Sequence, residues 1–333
     1  MRSRPATLDR RRFLAFGGAL CLVGGAPAFA TGASPLTRLK GAAFGTHWSV
    51  SLPTGTDLTG LPTRLDALLA QLDLAFSPWR PDSVVARFNA GTAHDMSVTE
   101  EIAAVTGAAL RIAAASGGAF DPTVGPLVAR WGFGPIQGGG TQPGGWLKLA
   151  ADNGHIAKAE TDLTLDLCGI AKGHALDRMV ALLLDAGHEH FLIDLGGELT
   201  ACGRHPSGRA WQVGIETPLP GTEEIAGVLR LGGMAVATPR DLVNGHHVGR
   251  RRYSHIIDPT TREPVESALA SVSVLMATAR EADGWATALM AAGQTGPDLA
   301  RRLDIPALFL FRDGPRLRSV ATGNFRLHLD EAA

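Results

Sequence analysis

The chain has 333 residues, of which 45% are hydrophobic and 19% are charged, and its formal net charge at pH 7 is −1. This composition is typical of a globular protein and excludes a disordered chain or a small disulfide-stabilised scaffold. Residues 1–30 contain five Arg and one Asp, so the remaining 303 residues carry a net charge of about −5. That balance gives no reason to expect binding to the phosphates of nucleic acid.

The first 30 residues have the pattern of an export signal. Arg10-Arg11-Arg12 stands directly before an uncharged stretch that reaches Thr37, and Ala28-Phe29-Ala30 supplies the small residues that a signal peptidase reads. The arginine run resembles a twin-arginine signal, which exports folded proteins. A membrane anchor is the alternative, but the stretch is rich in Gly and Ala and is interrupted by Pro27. We therefore expect a periplasmic protein that begins near Thr31 and does not span the membrane once mature.

Hydrophobic periodicity predicts the first elements after the leader. Residues 46–52 alternate as a half-buried strand, and apolar residues recur at helical spacing over residues 61–76. Ser97-Val98-Thr99-Glu100 has the form of a capping box, which predicts a helix that runs to Ser116. Residues 137–145 are rich in Gly and predict a surface loop.

The second half of the chain mixes strands and helices without strict alternation. Residues 163–167 and 190–195 are predicted strands, and residues 171–186 are a predicted helix with Gly187 at its end. Further strands are predicted at 211–216, 228–231, 270–276 and 307–311, and a further helix at 279–292. The mixture and the lack of a long linker favour one α+β domain over residues 31–333. No G-x-G-x-x-G or P-loop string is present.

The segment from Gly117 to Pro126 is a stiff turn with one acid, Asp121, at its bend. Asp121 precedes a proline and is held extended, and Gly118 permits a ligand to approach the backbone closely. This pattern is typical of a ligand-binding turn. A helix end followed by an Asx turn is the alternative.

The segment from Asp166 to His174 leads a strand into a glycine-flanked turn and then a helix. Free N–H groups at a helix start favour an anion, and Lys172 adds a positive charge, so we expect a phosphate to bind here. A plain strand-turn-helix junction with an exposed lysine is the alternative.

The segment from Ser254 to Pro259 places polar residues inside an apolar run. The pKa of a histidine near neutrality suits His255 to proton transfer or to donation to a phosphate oxygen. A core histidine with its hydrogen bonds satisfied is the alternative.

Asp283 and Thr287 lie four residues apart on a predicted helix, and therefore on one face. Two oxygen ligands so placed suit a hard cation such as Mg²⁺, which would take further oxygens from the backbone, water and a substrate phosphate. A solvated helix face with an Asp near its start is the alternative.

Taken together and in this order, these segments resemble the ApbE family of FAD:protein FMN transferases. The resemblance extends from about Ala43 to Gly293. Seven strings in register make it specific: Gly45-Thr46, the Phe76-Ser77 to Asn89 stretch with Asp82-Ser83, GGAFDPTVGPL, LCGIAKGHALD, LIDLGGEL, SHIIDP and EADGWATAL. It implies a T-fold-like α+β domain of the ApbE type, with a mixed, largely antiparallel sheet flanked by helices.

The resemblance also implies the chemistry. FAD would be the substrate and Mg²⁺ the cofactor, and FMN would be joined by a phosphoester bond to a Thr hydroxyl of an exported or membrane redox protein with release of AMP. Asp283, Thr287 and the backbone oxygen of Ala171 would bind the metal. His255 would be the catalytic histidine, which deprotonates the acceptor hydroxyl or holds the phosphoryl group in line. The flavin nucleotide would contact Phe44, Trp79, Ala119, Phe120, Asp121, Cys168, Lys172 and Ile257.

This sequence departs from the family pattern at several positions. Residues 237–241, Ala-Thr-Pro-Arg-Asp, stand where the family has Thr-Ser-Gly-Asp, so acceptor recognition or substrate affinity is expected to differ there. Phe44 replaces a common Met and Trp79 a common Tyr, and both can still pack on a ring. Cys168 occupies a position that is small in the family.

Several alternatives stay open at this point. The same site could hydrolyse FAD to FMN and AMP, or the protein could bind flavin in the periplasm without catalysis. A twin-arginine leader on this family also resembles the flavin transferase accessory to nitrous oxide reduction, which makes an accessory flavoprotein of that system one candidate acceptor. The sequence leaves open the oligomeric state, the metal in the cell and whether Cys168 pairs with Cys202.

Overall fold

The computed structural model describes residues 35–330 apart from residues 220, 222–223, 240–245, 249–250, 254–255, 266 and 315, and at 246–248 and 251–253 it describes the backbone alone. The predicted leader, residues 1–30, lies outside the described residues. So does the predicted start at Thr31.

The largest element is an eight-stranded sheet with the order β1-β2-β6-β7-β10-β15-β16-β17, in which all neighbouring strands are antiparallel. Smaller sheets are formed by β3-β5-β4, β8-β9, β11-β12 and β13-β14. The strands are β1 (Leu36–Ala43), β2 (Thr46–Pro53), β3 (Asp95–Ser97), β4 (Leu149–Asp152), β5 (His155–Lys158), β6 (Phe191–Leu195), β7 (Glu198–Cys202), β8 (Trp211–Glu216), β9 (Ile225–Leu231), β10 (Ala235–Ala237), β11 (His246–Val248), β12 (Arg251–Tyr253), β13 (Ile257–Asp258), β14 (Glu263–Pro264), β15 (Leu269–Met276), β16 (Ala307–Asp313) and β17 (Arg316–Thr322).

Seven α-helices are present in the described part of the chain. They are α1 (Leu61–Phe76), α2 (Val84–Ala90), α3 (Glu100–Ala115), α4 (Gly125–Arg130), α5 (Ala171–Asp185), α6 (Ala279–Ala291) and α7 (Gly296–Arg302). Helices and an antiparallel sheet in one unit confirm the predicted α+β class. None of the helices described here is both long and apolar enough to cross a membrane.

The two faces of the large sheet contact different cores. On β6, Phe191, Ile193 and Leu195 are buried in the larger core, which contains the helices, whereas Leu192 is buried in a smaller core beneath β8 and β9. Alternate residues of a strand point to opposite faces. By the same alternation Glu198 of β7 faces the helices, because its neighbour Leu199 belongs to the smaller core.

Helices α5 and α6 pack against each other and against the middle of the sheet. Helix α5 contacts β6 and β7, while α6 contacts β10 and β15. Every residue that the sequence singled out as a metal ligand belongs to these two helices.

Most of the predicted elements are confirmed with small changes of boundary. The strand predicted at 46–52 is β2, and the helix predicted at 61–76 is α1, whose core-facing residues Leu61, Leu65, Leu68, Leu72 and Phe76 are all buried. The predicted helices at 171–186 and 279–292 are α5 and α6. The predicted strands at 190–195, 211–216, 228–231, 270–276 and 307–311 are β6, β8, β9, β15 and β16.

The strand predicted at 163–167 is wrong. Leu163, Leu165 and Leu167 are buried as the alternation requires, but the segment pairs with no neighbouring strand among those described. The side chain of Asn89 takes the place of a strand: its Nδ2 donates to Leu165 O at 2.8 Å, and its Oδ1 accepts from Leu165 N at 2.7 Å. An amide side chain can satisfy one backbone residue in this way without forming a ladder.

The capping box predicted at Ser97 is also wrong in detail. Ser97 ends β3, and the residue that caps α3 is Thr99, whose Oγ1 accepts a hydrogen bond from Ile102 N at 3.4 Å. The helix ends at Ala115, with Ser116 as its C-cap. Thr99 also suits this role, because a threonine side chain satisfies a free N–H at a helix start.

Candidate functional site

The candidate site lies where α6 passes the beginning of α5. Asp283 Oδ2 accepts a hydrogen bond from Gly173 N at 2.9 Å, and Thr287 Oγ1 donates to Gly169 O at 3.3 Å. Lys172 lies between the two glycines on the same turn. We call this group of five residues the α5–α6 corner. It brings the predicted Asp283, Thr287 and Lys172 together, and Ala171 begins α5 beside them.

Two glycines allow the helices to come this close. A Cβ on Gly173 would lie 2.2 Å from the backbone oxygen of Ala279 and 2.7 Å from the Cβ of Asp283. A Cβ on Gly169 would lie 2.9 Å from the methyl carbon of Thr287. Real Cβ atoms do not approach neighbours this closely, so the corner requires glycine at both positions.

The corner concentrates negative charge in a buried place. Asp283 is 4% exposed. Burial, and after it the nearby charge of Glu198, raise the pKa of Asp283 to about 7, although Lys172 and the N–H of Gly173 oppose the shift. Two buried carboxylates therefore share the positive charge of one lysine.

Glu198 is a residue of the site that the sequence reasoning missed. It lies in β7 directly after Gly196-Gly197, and its two oxygens bind Lys172 Nζ at 2.7 and 2.8 Å. Burial alone would lower the pKa of Lys172, but the negative charges of Glu198 and Asp283 outweigh burial and raise it. The available signal was a glutamate at the start of a short strand, directly after two glycines.

The donor atoms of the corner fit a hard divalent cation. They are a carboxylate, a hydroxyl and backbone carbonyl oxygens, which are the ligands that Mg²⁺ prefers. Burial and the charge of Glu198 both disfavour the ionised form of Asp283. A cation bound beside Asp283 would stabilise that ionised form. With Lys172 already bound to Glu198, the negative charge of Asp283 is left for a bound cation to offset.

The N–H groups that start α5 are mostly occupied, which corrects the predicted anion site. Ala171 N donates to Leu167 O at 2.9 Å and His174 N to Ile170 O at 3.1 Å, while Gly173 N is bound by Asp283. The expectation of free N–H groups is therefore wrong for these three. Lys172 is the neighbouring side chain that could donate to a phosphate oxygen, with two of its three N–H groups bound by Glu198.

The predicted turn around Asp121 is a closed network. Asp121 Oδ1 accepts from Thr123 N at 2.8 Å and from Thr123 Oγ1 at 2.6 Å. Burial raises the pKa of Asp121, and these hydrogen bonds, with one from Gly144 N, oppose the rise. This is the Asx turn that the sequence offered as an alternative. Phe120 connects the turn to the corner, because its ring lies against Gly169. A Cβ added to Gly169 would lie 3.1 Å from a ring carbon of Phe120.

Cys168 lies between the turn and the corner and is exposed. Its N–H donates to Asp166 Oδ1 at 2.9 Å. The surrounding protein and the charge of Asp166 raise the pKa of the Cys168 thiol well above its ordinary value. Cys202 is likewise free, so the two cysteines do not pair.

The other predicted flavin contacts come from separate parts of the fold. Phe44 is half-buried in the β1–β2 turn with a φ of 51°, in the left-handed region. Trp79 is 60% exposed between α1 and α2, Ile257 is buried in β13, and Ala119 is half-buried beside Phe120. For Phe44, Trp79 and Ile257, a role at the corner rests on the resemblance.

Two sequence predictions fall wholly or partly outside the described residues. His255, the predicted catalytic residue, lies outside them together with Ser254. Of the departure at 237–241, Arg240 and Asp241 also lie outside, while Thr238 Oγ1 donates to Ser273 Oγ at 3.0 Å.

Comparisons with known proteins identify relatives of this chain. The model of the ApbE family matches residues 44–309. An FAD:protein FMN transferase of Klebsiella pneumoniae is 32% identical over 335 residues, which cover 94% of this chain and 95% of the relative. The Escherichia coli K12 protein of the same name is 31% identical and covers 90% of this chain and 91% of its own length. The solved flavin transferase ApbE from Vibrio cholerae superposes with a TM-score of 0.79 at 31% identity, covering 89% of this chain and 100% of the solved one.

Proposed function

The chain belongs to the ApbE family, and from that membership and the geometry of the α5–α6 corner we propose that it is an FAD:protein FMN transferase, as its relatives are named. The observation that carries the proposal is the contact of Asp283 and Thr287 with the start of α5, beside the turn that holds Phe120. Oxygen ligands, a lysine and an aromatic turn in one place suit a diphosphate joined to a ring system.

The proposed reaction exchanges the phosphoanhydride bond of FAD for a phosphoester bond to the acceptor. The hydroxyl oxygen of an acceptor Thr attacks the phosphorus of the FMN half of FAD and forms a new P–O bond. The P–O bond to the phosphate of AMP breaks, and AMP leaves. The hydroxyl proton passes to a base, a role that suits His255. A phosphoester of FMN with the acceptor remains.

The residues of the corner and their neighbours Ala171 and Glu198 would have two separate roles, binding the metal and binding a phosphate. Asp283, Thr287 and the backbone oxygen of Ala171 would hold Mg²⁺, which when bound would offset the negative charge that develops on the diphosphate. Glu198 fixes the ammonium group of Lys172 beside this position, and the third N–H of that group would donate to a phosphate oxygen. Holding both reactants in line supplies much of the rate in such reactions.

The decisive experiment follows AMP and FMN separately. The mature chain is incubated with FAD and Mg²⁺, with and without an acceptor protein that contains the target Thr. Transfer predicts AMP only when the acceptor is present, together with an FMN adduct on an acceptor peptide in mass spectrometry. AMP in equal amounts without acceptor would indicate hydrolysis of FAD, and bound FAD without AMP would indicate a flavin carrier.

The site of action is proposed to be the periplasm, on the basis of the arginine run and apolar stretch in residues 1–30. The acceptor would then be an exported or membrane redox protein, with the accessory flavoprotein of nitrous oxide reduction as one candidate. Co-expression of the full chain with an acceptor carrying an export signal should give the FMN adduct in the periplasmic fraction. An adduct found only on cytoplasmic acceptor would contradict this location.

A further prediction concerns His255. His255→Ala is expected to bind FAD as the wild type does but to transfer FMN about 10²–10⁴-fold more slowly, the usual effect of losing a positioned proton-transfer group. FAD affinity is measured by flavin fluorescence and transfer by single-turnover labelling of the acceptor. Full transfer activity in this variant would make His255 a core residue.

A further inference from the structure

The buried face between α5 and α6 contains a carboxylate to which the proposed reaction assigns no role. Asp177 of α5 accepts hydrogen bonds from the first two backbone N–H groups of α6, Ala279 N to Oδ1 at 2.7 Å and Arg280 N to Oδ2 at 3.0 Å. The first N–H groups of a helix have no partner within that helix. One side chain of α5 therefore uses both of its oxygens to hold the start of α6.

This contact continues the contacts of the α5–α6 corner at regular spacing. Each step of four residues forward along one segment is matched by a step of four residues backward along the other, which is about one helical turn. The three contacts in that register are Gly169 with Thr287, Gly173 with Asp283, and Asp177 with Ala279. The two segments therefore run antiparallel, and all three contacts lie along one line.

The three contacts differ in what they can fix. At Gly169 and Gly173 each contact is a single hydrogen bond to the backbone, from Thr287 Oγ1 to Gly169 O and from Gly173 N to Asp283 Oδ2. Asp177 makes two charge-assisted hydrogen bonds to consecutive N–H groups, a geometry that is lost when either helix shifts. The N–H groups that Asp177 binds lie about one turn before Asp283 on α6. A shift of α6 would therefore move the Asp283 carboxylate and Thr287 together.

We propose that Asp177 is a positioning residue that sets the register of α6 on α5 and so places Asp283 and Thr287 for the divalent cation. This inference rests on the proposed function, because that function supplies the cation. Groups that orient metal ligands without touching the metal typically change its affinity by about 10–100-fold when they are removed.

Three variants of the mature protein test the proposal. Asp177→Ala removes both hydrogen bonds, and Asp177→Asn removes the same charge but keeps one acceptor oxygen. Thr278→Ala is the matched control, because Thr278 Oγ1 caps the same helix by accepting from Glu281 N at 3.3 Å without a tie to α5. Mn²⁺ affinity is measured from the electron paramagnetic resonance signal of the free ion, and thermal unfolding is followed in parallel.

We expect Asp177→Ala to bind Mn²⁺ about 10–100-fold more weakly than the wild type, with Asp177→Asn between the two. Thr278→Ala should lower the melting temperature yet keep wild-type affinity. High Mg²⁺ should restore FMN transfer in Asp177→Ala.

Equal affinity in Asp177→Ala and the wild type would overturn the inference, as would equal losses in the Ala and Asn variants, since the effect would then be one of charge. A loss in Thr278→Ala as large as in Asp177→Ala would reduce Asp177 to an ordinary helix cap. If Asp177→Ala does not fold, wild-type affinity in Asp177→Asn overturns the inference. Failure of the wild type itself to bind Mn²⁺ would instead reject the metal site of the proposed function.

Discussion

Asp283→Asn is expected to reduce FMN transfer at least about 100-fold while the protein stays folded. Metal-assisted stabilisation of a transition state contributes several kcal/mol, and each 1.36 kcal/mol corresponds to a factor of ten in rate. An amide ligates a divalent cation far more weakly than a carboxylate, so the rate loss should be accompanied by loss of Mn²⁺ binding.

The stability of this variant should move in the opposite direction to its activity. The pKa of Asp283 in the folded protein is about 7, well above its ordinary value of 3.8. The unfolded chain therefore loses this proton at lower pH than the folded protein, so stability falls as pH rises from about 4 through 7. The amide of the Asp283→Asn variant would carry no charge and could still accept from Gly173 N. We expect the free energy of unfolding at pH 8 without metal to equal or exceed that of the wild type.

The matched control is Glu281→Gln, which makes the same change of acid to amide at an exposed position of α6. It should retain transfer and Mn²⁺ binding. Urea unfolding and acceptor labelling of the two variants distinguish a lost ligand from a damaged helix. Full transfer by Asp283→Asn would remove the metal role proposed for this residue.

Local patterns in the sequence predict the elements well where one face of each element is buried. The residues of α1 that recur at helical spacing are all buried, and the alternation in β6 divides its residues between two cores. The same alternation misled at Leu163, Leu165 and Leu167, because burial alone does not reveal whether the backbone pairs with a strand or with the side chain of Asn89.

The candidate site was predictable in its residue types but not in its arrangement. Spacing on one helix places Asp283 and Thr287 on a common face. Their contact with Gly169 and Gly173, by contrast, depends on how two helices more than 100 residues apart pack together. Glu198 was missed for the same reason, since its partner Lys172 lies on a different element.

Gly173→Ala is expected to destabilise the protein and to impair the site, although alanine is the better helix former. At an unobstructed helix position the change would favour the helix by about 1 kcal/mol. Here the new methyl group would lie 2.2 Å from the Ala279 oxygen and 2.7 Å from the Asp283 Cβ. The first of these neighbours is backbone, so relief requires α6 to move away from α5. Overpacking of this kind costs about 1–3 kcal/mol.

Gly107→Ala in α3 supplies the control, because the nearest atom to a Cβ there is the end of the Arg111 side chain at 3.5 Å, an ordinary contact. We expect Gly107→Ala to keep or raise the free energy of unfolding in urea and to transfer FMN normally. Gly173→Ala should lose stability and also bind Mn²⁺ at least about tenfold more weakly, since movement of α6 carries Asp283 with it. If both variants are equally stable and active, the helices can separate without cost, and close approach at Gly173 is not what builds the site.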